Sequence, residues 1–533
     1  MDSEVVQDVV ILDQRNDDPP NSNDESTLLD EDQSKSRRSR YLKLLAVKPV
    51  LIIYGIQYCV QGSVTTQLWL DKICYHQGYN ETVCTDLTNP ANEQIEAEVQ
   101  KRQVTLSIIE SYLAQVPGIF ITLYLGPWSD QGRKPLMVLP FIGHIISGTV
   151  YLLNIWQLKT SAPEWLFLAD IYVLFGGYLV LNIALNGYIS DLTLPEERTT
   201  IMAVLAGLGF IVFPFAELIS GQLYRFGGFF LVYGVSLGFS IVGVIYVFFI
   251  PETVMARRSL ENPRSKTSAS MDTPSSPPSL DDKNAMAAHL RTLNLGGKFK
   301  FIFNRGNRLV WRAIKMIFKQ RDEGLRRILI FIVGIRVGAS LSSNYANTLL
   351  FTERVFGWDV VQYTTYTSVF MGLFVVKTFV TTPFYSYLLG MHDAMLASIG
   401  ALVGVGTSVV QGFSTQGWMF YYGAGLTVLG PMMVTSLDSL ASKCVDTNEF
   451  GQMFTIFHSV TSVAGLLTSS AMSLLYQKTV ESFPGASFLL SASLQAVTTV
   501  LCVTLFGVIL RHEKRWGPIG ATKKQDQVPV GVH

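Results

Sequence analysis

The chain has 533 residues, of which 49% are hydrophobic, 12% aromatic and only 15% charged, with 41 basic and 41 acidic side chains and no net charge. That composition is too apolar for a soluble enzyme with so many long uncharged runs, and the neutral balance selects no partner. No nucleic-acid partner is expected.

The apolar runs have a rhythm: about six of membrane length, a polar interruption from roughly Pro251 to Arg327, then about six more. In lipid each backbone amide must be satisfied within its own segment, so these runs read as helices, and the weak alternation of a barrel is absent. Residues 1–47 are acidic and polar and read as a disordered cytosolic tail. Within them Asp24, followed by Leu28 and Leu29, has the form of an acidic dileucine signal for a sorting adaptor, a short pattern that chance also produces. A first bundle, 48–250, holds spans beginning near Val50, Val104, Leu136, Trp165, Thr200 and Phe229. Its first loop carries the sequon Asn80-Glu81-Thr82 between Cys74 and Cys84, which places glycosylation and an oxidising compartment on one side. There the two cysteines favour a disulfide over two free thiols, while Cys59, Cys444 and Cys502 lie in or near spans and read as inert.

Residues 251–326 form a cytosolic central loop. Pro263 to Ser279 is rich in Ser, Thr and Pro and is expected to be disordered. Phe299 to Phe318 interleaves aromatic and aliphatic residues with Lys and Arg, which suits an amphipathic helix on the inner leaflet or a site for an acidic partner. A second bundle, 327–511, has spans beginning near Arg327, Val360, Ala394, Trp418, Gly451 and Ala486, and 512–533 is a second cytosolic tail. Basic residues crowd the first span (Lys35, Arg37, Arg38, Arg40), the loop at Arg133 and Lys134, the central loop, and Arg511 to Arg515. The positive-inside rule therefore puts both termini in the cytosol.

Ionisable groups within spans cost several kcal/mol unless they face a cavity or a partner, so each is a functional candidate. Glu110 and Glu217 fall roughly 5 to 10 Å from the outer end and Asp170 lies near it, whereas Arg336, Lys377 and His458 fall in the inner half of the second bundle. A desolvated carboxylate can collect a proton from an acidic exterior, Arg336 and Lys377 offer charge to an organic anion, and His458 suits a proton relay. The same residues also fit structural duty: Glu110 and Glu217 as hydrogen-bond partners between helices, Lys377 as a snorkelling surface lysine. Asn182 with Asn186 and Asn344 with Asn347 share helix faces, able to line a cavity or to pin helices together. Tyr345, Tyr363 and Tyr366 fit an aromatic belt.

The loop Gly126-Pro127-Trp128-Ser129-Asp130-Gln131-Gly132-Arg133-Lys134-Pro135 resembles the loop signature of the major facilitator superfamily, one residue short between Asp130 and Gly132. Tyr188 through Asp191 to Pro195-Glu196-Glu197-Arg198, the first-loop run from Lys72 to Cys84, and Ser442-Lys443-Cys444 followed by Glu449-Phe450-Gly451 are similar to solute carrier family 46, which includes the proton-coupled folate transporter. The resemblance implies an all-α membrane protein of twelve transmembrane helices in two six-helix bundles around a central cavity, with Asp130, Arg133, Asp191, Arg198 and Glu449 as conformational latches. The folate branch carries a glutamate, a histidine and an arginine where Ala206, Met371 and Asp438 stand, so folate is disfavoured as substrate.

The expected activity is proton-driven symport of an organic anion toward the cytosol, the substrate being a conjugated steroid, a folate-like solute or a cell-wall fragment. The proton gradient is the only cofactor, the bilayer, the substrate and a sorting adaptor are the partners, and the location is the plasma membrane, endosome or lysosome. A drug/proton antiporter and a transport-inactive receptor are the alternatives. No GxxxxGK[ST] loop supports an ATP-driven pump, and no constellation of an intramembrane protease surrounds His458 or Asp438.

Overall fold

The structure is a computed structural model that describes residues 22–125, 132–192, 195–251, 315, 317–319, 324–343, 347–445 and 449–517. Every regular element among them is helical. Helix α1 spans Ser22–His76, α2 Glu81–Cys84 and α3 Glu93–Leu125. Then come α4 (Arg133–Trp156), a 3₁₀ segment (Pro163–Phe175), α5 (Gly177–Leu192) and α6 (Pro195–Phe249). The second half contains α7 (Leu325–Leu341), α8 (Thr348–Phe356), α9 (Val360–Val376), α10 (Asp393–Gly412) and α11 (Gly417–Leu426). It closes with α12 (Met433–Cys444), α13 (Phe450–Thr479) and α14 (Ala486–Trp516).

Helix α1 begins at Ser22, well ahead of the Val50 start expected for the first span.

Two helices are interrupted where glycines permit it. The 40-residue apolar stretch Phe210–Phe249 of α6 would be about 60 Å long as one rod, twice a bilayer core. It breaks at Gly227 (φ −145°, ψ 15°) and Gly228 (φ 59°, ψ −155°), close to the Phe229 start expected for the sixth span. In the fourth span the 3₁₀ segment ends at Gly176 (φ 89°) and α5 resumes at Gly177 (φ 49°). Broken helices expose backbone groups, which lipid does not tolerate but a cavity does.

Among the described residues eight stretches are long and apolar enough to cross a membrane. Helices α1, α3 and α7 fall outside that set for visible reasons. The first two carry Gln57, Gln61, Gln67, Gln103, Glu110 and Gln115, and α7 is only 17 residues long. The residues that lower their hydropathy are largely those that line cavities, as described below.

Among the described residues the apolar core divides into three clusters. One surrounds the disulfide and joins the halves, with Trp69, Ile73 and Tyr233 in the same cluster as Phe351, Phe420 and Tyr476. At the opposite end each half has its own: Tyr54, Met137, Phe141 and Tyr188 in the first, Ile328, Leu437, Phe457 and Leu505 in the second. The halves therefore share buried apolar surface at the disulfide end and keep separate cores at the other. Tyr363 and Tyr366 are buried in the shared cluster, Tyr366 accepting a hydrogen bond from Gln411 Nε2 (3.0 Å), so they are core residues and not a belt at the interface. Tyr345 lies outside the described residues.

Candidate functional site

Among the described residues two large cavities lie between the helices. The larger, about 730 Å³, is polar and is lined by Gln61, Thr65, Gln103, Ser107, Glu110, Ser147 and Asp170 from the first half, with Ser343, Gly465 and Ser469 from the second. The other, about 600 Å³, is more apolar, with Tyr54, Phe210, Phe213, Asn182 and Asn186 in its wall and the Gly176–Gly177 break beside them. Tyr58, Ala114, Gln115 and Tyr172 line both, so a polar and an apolar compartment adjoin.

Glu217 hangs from α6 between the halves. Its Oε2 accepts from Ser63 Oγ on α1 (2.9 Å) and from Thr367 Oγ1 on α9 (3.5 Å), and beside it Ser368 Oγ donates to the Pro214 carbonyl (2.6 Å). One half-buried carboxylate thus ties the two halves together. Glu110 sits beside the Trp69 indole, and Asp170 lies in the same cavity wall.

Arg336 on α7 is buried (7% exposed) and meets Asp438 of α12, Nε to Oδ1 at 3.5 Å, with its guanidinium over the Phe457 ring at 5.6 Å. His458 lies in the neighbourhood of Asp438. The pair is badly aligned: both Nε and Oδ1 are buried without a hydrogen bond. Asp438, a reversed charge by comparison with the folate branch, is the counter-ion of Arg336. The guanidinium is therefore neutralised in this conformation instead of being free for substrate. Lys377, where α9 passes into π-helical turns (Lys377–Thr381), is half-buried with no ion-pair partner among the described residues.

The paired asparagines separate. Asn186 Nδ2 donates to Asn182 Oδ1 (2.6 Å) in the wall of the apolar compartment. Asn347 is instead buried, accepts from Ser473 Oγ (3.3 Å) and pins the start of α8 to α13, while Asn344 lies outside the described residues. Of the latch residues, the Arg133 guanidinium packs against Gly187 of α5 and Glu449 Oε1 pairs with Lys319 Nζ (2.6 Å), near the buried Ile317. Asp130 and the side chains of Asp191, Arg198, Asp24, Leu28 and Leu29 are outside the described set. Cys74 and Cys84 form the expected disulfide, and Asn80 is exposed, its Oδ1 capping α2 through the Glu81 N–H (2.9 Å).

Sequence reasoning missed the closure at the disulfide end. Arg354 of α8 donates to Glu93 Oε1 (2.7 Å) and Glu96 Oε2 (3.0 Å) of α3, and Gln100 links to the Leu350 carbonyl (3.2 Å) and to Tyr476 Oη (2.9 Å). Lys101 pairs with Glu481 at 2.5 Å, and its ammonium holds that carboxyl below the usual carboxylate range. These partners lie in different halves, up to 380 positions apart, and no periodicity reports such pairings. His144 was also missed: it is buried in α4, with Nε2 3.0 Å from Tyr54 Oη and its ring stacked on Tyr172. The rule that singles out ionisable groups in spans applies to it as much as to His458.

Residues 89–469 match the family model described as Major Facilitator Superfamily. The chain is 22% identical to the probable peptidoglycan muropeptide transporter SLC46 of Drosophila melanogaster, over 91% of this chain and 90% of that protein. It is 23% identical to the proton-coupled folate transporter of Rattus norvegicus, covering 85% and 90% respectively. Identity is 25% to the lysosomal proton-coupled steroid conjugate and bile acid symporter SLC46A3 of Homo sapiens, covering 87% and 94%. Among solved structures the fold resembles a POT peptide transporter (TM-score 0.55, 12% identity, 89% and 95% covered). It also resembles the human organic anion transporter MFSD10 (0.52, 15%, 86% and 99%).

Proposed function

Because the chain belongs to the major facilitator superfamily, we propose that it is a proton-coupled symporter that carries an organic anion toward the cytosol by alternating access. The observation that carries this reading is the Arg336–Asp438 pair. While Asp438 is ionised it occupies Arg336. A proton on Asp438 removes the counter-charge and leaves a desolvated guanidinium, which an incoming carboxylate or sulfonate can satisfy with strong paired hydrogen bonds. Proton and anion then load together, as symport requires. His458, beside Asp438, suits the relay of that proton toward the cytosol.

Glu217 gives the second half of the cycle. Ionised, it draws Ser63 and Thr367 into charge-assisted bonds across the halves; neutral, it holds them less strongly, and the halves can rock. With the disulfide end outward, as the basic residues require, the shared core and the Arg354 network close the outside, so the conformation faces inward. Twelve crossings follow from the eight apolar stretches when Phe210–Phe249 is counted twice and α1, α3 and α7 are added. Arg133 against Gly187 supports a latch between α4 and α5 at the inner face, with Asp130, Asp191 and Arg198 nearby in sequence. Glu449 with Lys319 supports one for the second bundle. Asn80, whose amide nitrogen makes no bond among the described residues, suits glycosylation.

Relatives named for folate, conjugated steroids, bile acids and muropeptides support an organic anion, at the plasma membrane or lysosome, with no cofactor and no catalysis. Uptake of labelled anions of these classes, in cells with and without the chain and at acidic and neutral external pH, tests the proposal. Symport uptake rises as external pH falls. A drug/proton antiporter loses uptake under the same change, and a receptor moves nothing at either pH.

A further inference from the structure

Among the described residues the polar compartment is lined by two acids and no base. Beside Glu110 and Asp170 its wall has Gln103, 5% exposed, and Ser147, 1% exposed. Gln103 Oε1, Ser147 Oγ and Asp170 Oδ2 are all buried without a hydrogen-bond partner among the described residues. The Trp69 indole N–H in the same wall is also without a partner, so donors are present, but the compartment holds two carboxyl groups and, among its described lining residues, no positive charge. Each unmet buried polar atom costs about 1 to 3 kcal/mol. A group that brings N–H donors and a positive charge meets the unmet oxygens and the two carboxyl groups together.

We propose that Glu110 and Asp170 receive a cationic group of the substrate, an ammonium or an amidinium. The inference rests on the transporter reading and narrows its substrate class to a zwitterion with an apolar body. Along α7 and α13, Arg336 and His458 lie roughly 10 Å from Ser343 and Gly465, which line the polar compartment, so anionic and cationic ends would be separated by about that distance or more. The adjoining wall of Tyr58, Phe210 and Phe213 suits the apolar body.

The test is fluorescence titration of the full chain in neutral phosphatidylcholine nanodiscs with two dyes of the same apolar body: cationic dansylcadaverine and anionic dansylglycine. Dansylcadaverine should bind saturably. Glu110→Gln and Asp170→Asn should each weaken it about tenfold, the worth of a hydrogen bond to a charged group. Dansylglycine should change less than about twofold, because its site is Arg336. Should either acid variant fail to fold, Ser111→Lys retains both acids and supplies an internal ammonium in the same wall, and it should abolish dansylcadaverine binding. Absent saturable binding, or binding unchanged in these variants, overturns the proposal. Variants that bind dansylcadaverine normally but lose the pH dependence of anion uptake would make the pair a proton site and overturn it equally. A chain that binds dansylcadaverine in the expected way yet moves no anion in vesicles would refute the transport reading and leave this one standing.

Discussion

In the first half Glu110 and Asp170 line a cavity with no base beside them among its described lining residues, while in the second Arg336 and Asp438 lie in contact and neutralise each other. Arg336 is also buried against Phe457. An uncompensated pair can take a charge from outside, whereas a compensated pair must lose its counter-charge before it can bind another ion. On the proposed reading, recognition and coupling fall to different halves, with Glu217 hydrogen-bonded to both.

The largest effect should come from cutting that tie. Glu217→Gln retains an acceptor for Ser63 and Thr367 but cannot cycle a proton, so accumulation driven by a pH gradient should vanish while exchange without a gradient survives; normal accumulation in vesicles would remove Glu217 from coupling. Next is the closure that joins the halves at the disulfide end. Arg354→Ala leaves the buried Glu96 carboxylate without its partner and should cost the closed form about 3 to 5 kcal/mol. Faster labelling, from the disulfide side, of a cysteine placed at Ser469 would register it, and an unchanged rate would contradict it. Within the first half, a side chain at Gly187 would collide with the Arg133 guanidinium. Gly187→Val should therefore lower stability by about 1 to 3 kcal/mol, read as a shift of the melting midpoint. Least affected should be Glu481→Ala. Its partner Lys101 is exposed on a solvated rim, so neither labelling nor melting should move measurably.

The sequence made the helical class, the two halves, the disulfide and most intramembrane charges legible, because each rests on composition or on spacing within one segment. Gly227 and Gly228 were legible only as the boundary of a span. What escaped depends on contacts between segments. Arg354 with Glu96 and Gln100 with Tyr476 pair residues hundreds of positions apart, and Asp438 read as a lost arginine until Arg336 was found beside it. The asparagine pairs show the same limit: identical spacing logic selected Asn182 with Asn186, which line a cavity, and Asn347, which pins two helices. Periodicity gives the face of a helix, while the neighbour on that face is set by the tertiary fold.

The most direct test is the pH dependence of dansylglycine affinity in the full chain and in Asp438→Asn. If a proton on Asp438 frees Arg336, affinity in the unaltered chain rises as pH falls, by about tenfold or more between neutral and acidic conditions, since breaking a partly buried ion pair is worth at least about 1.4 kcal/mol. The substituted amide imitates the protonated acid at every pH, so the variant should bind the anion tightly throughout and show no pH dependence. A variant that retains the full pH dependence would contradict the assignment of coupling to the Arg336–Asp438 pair.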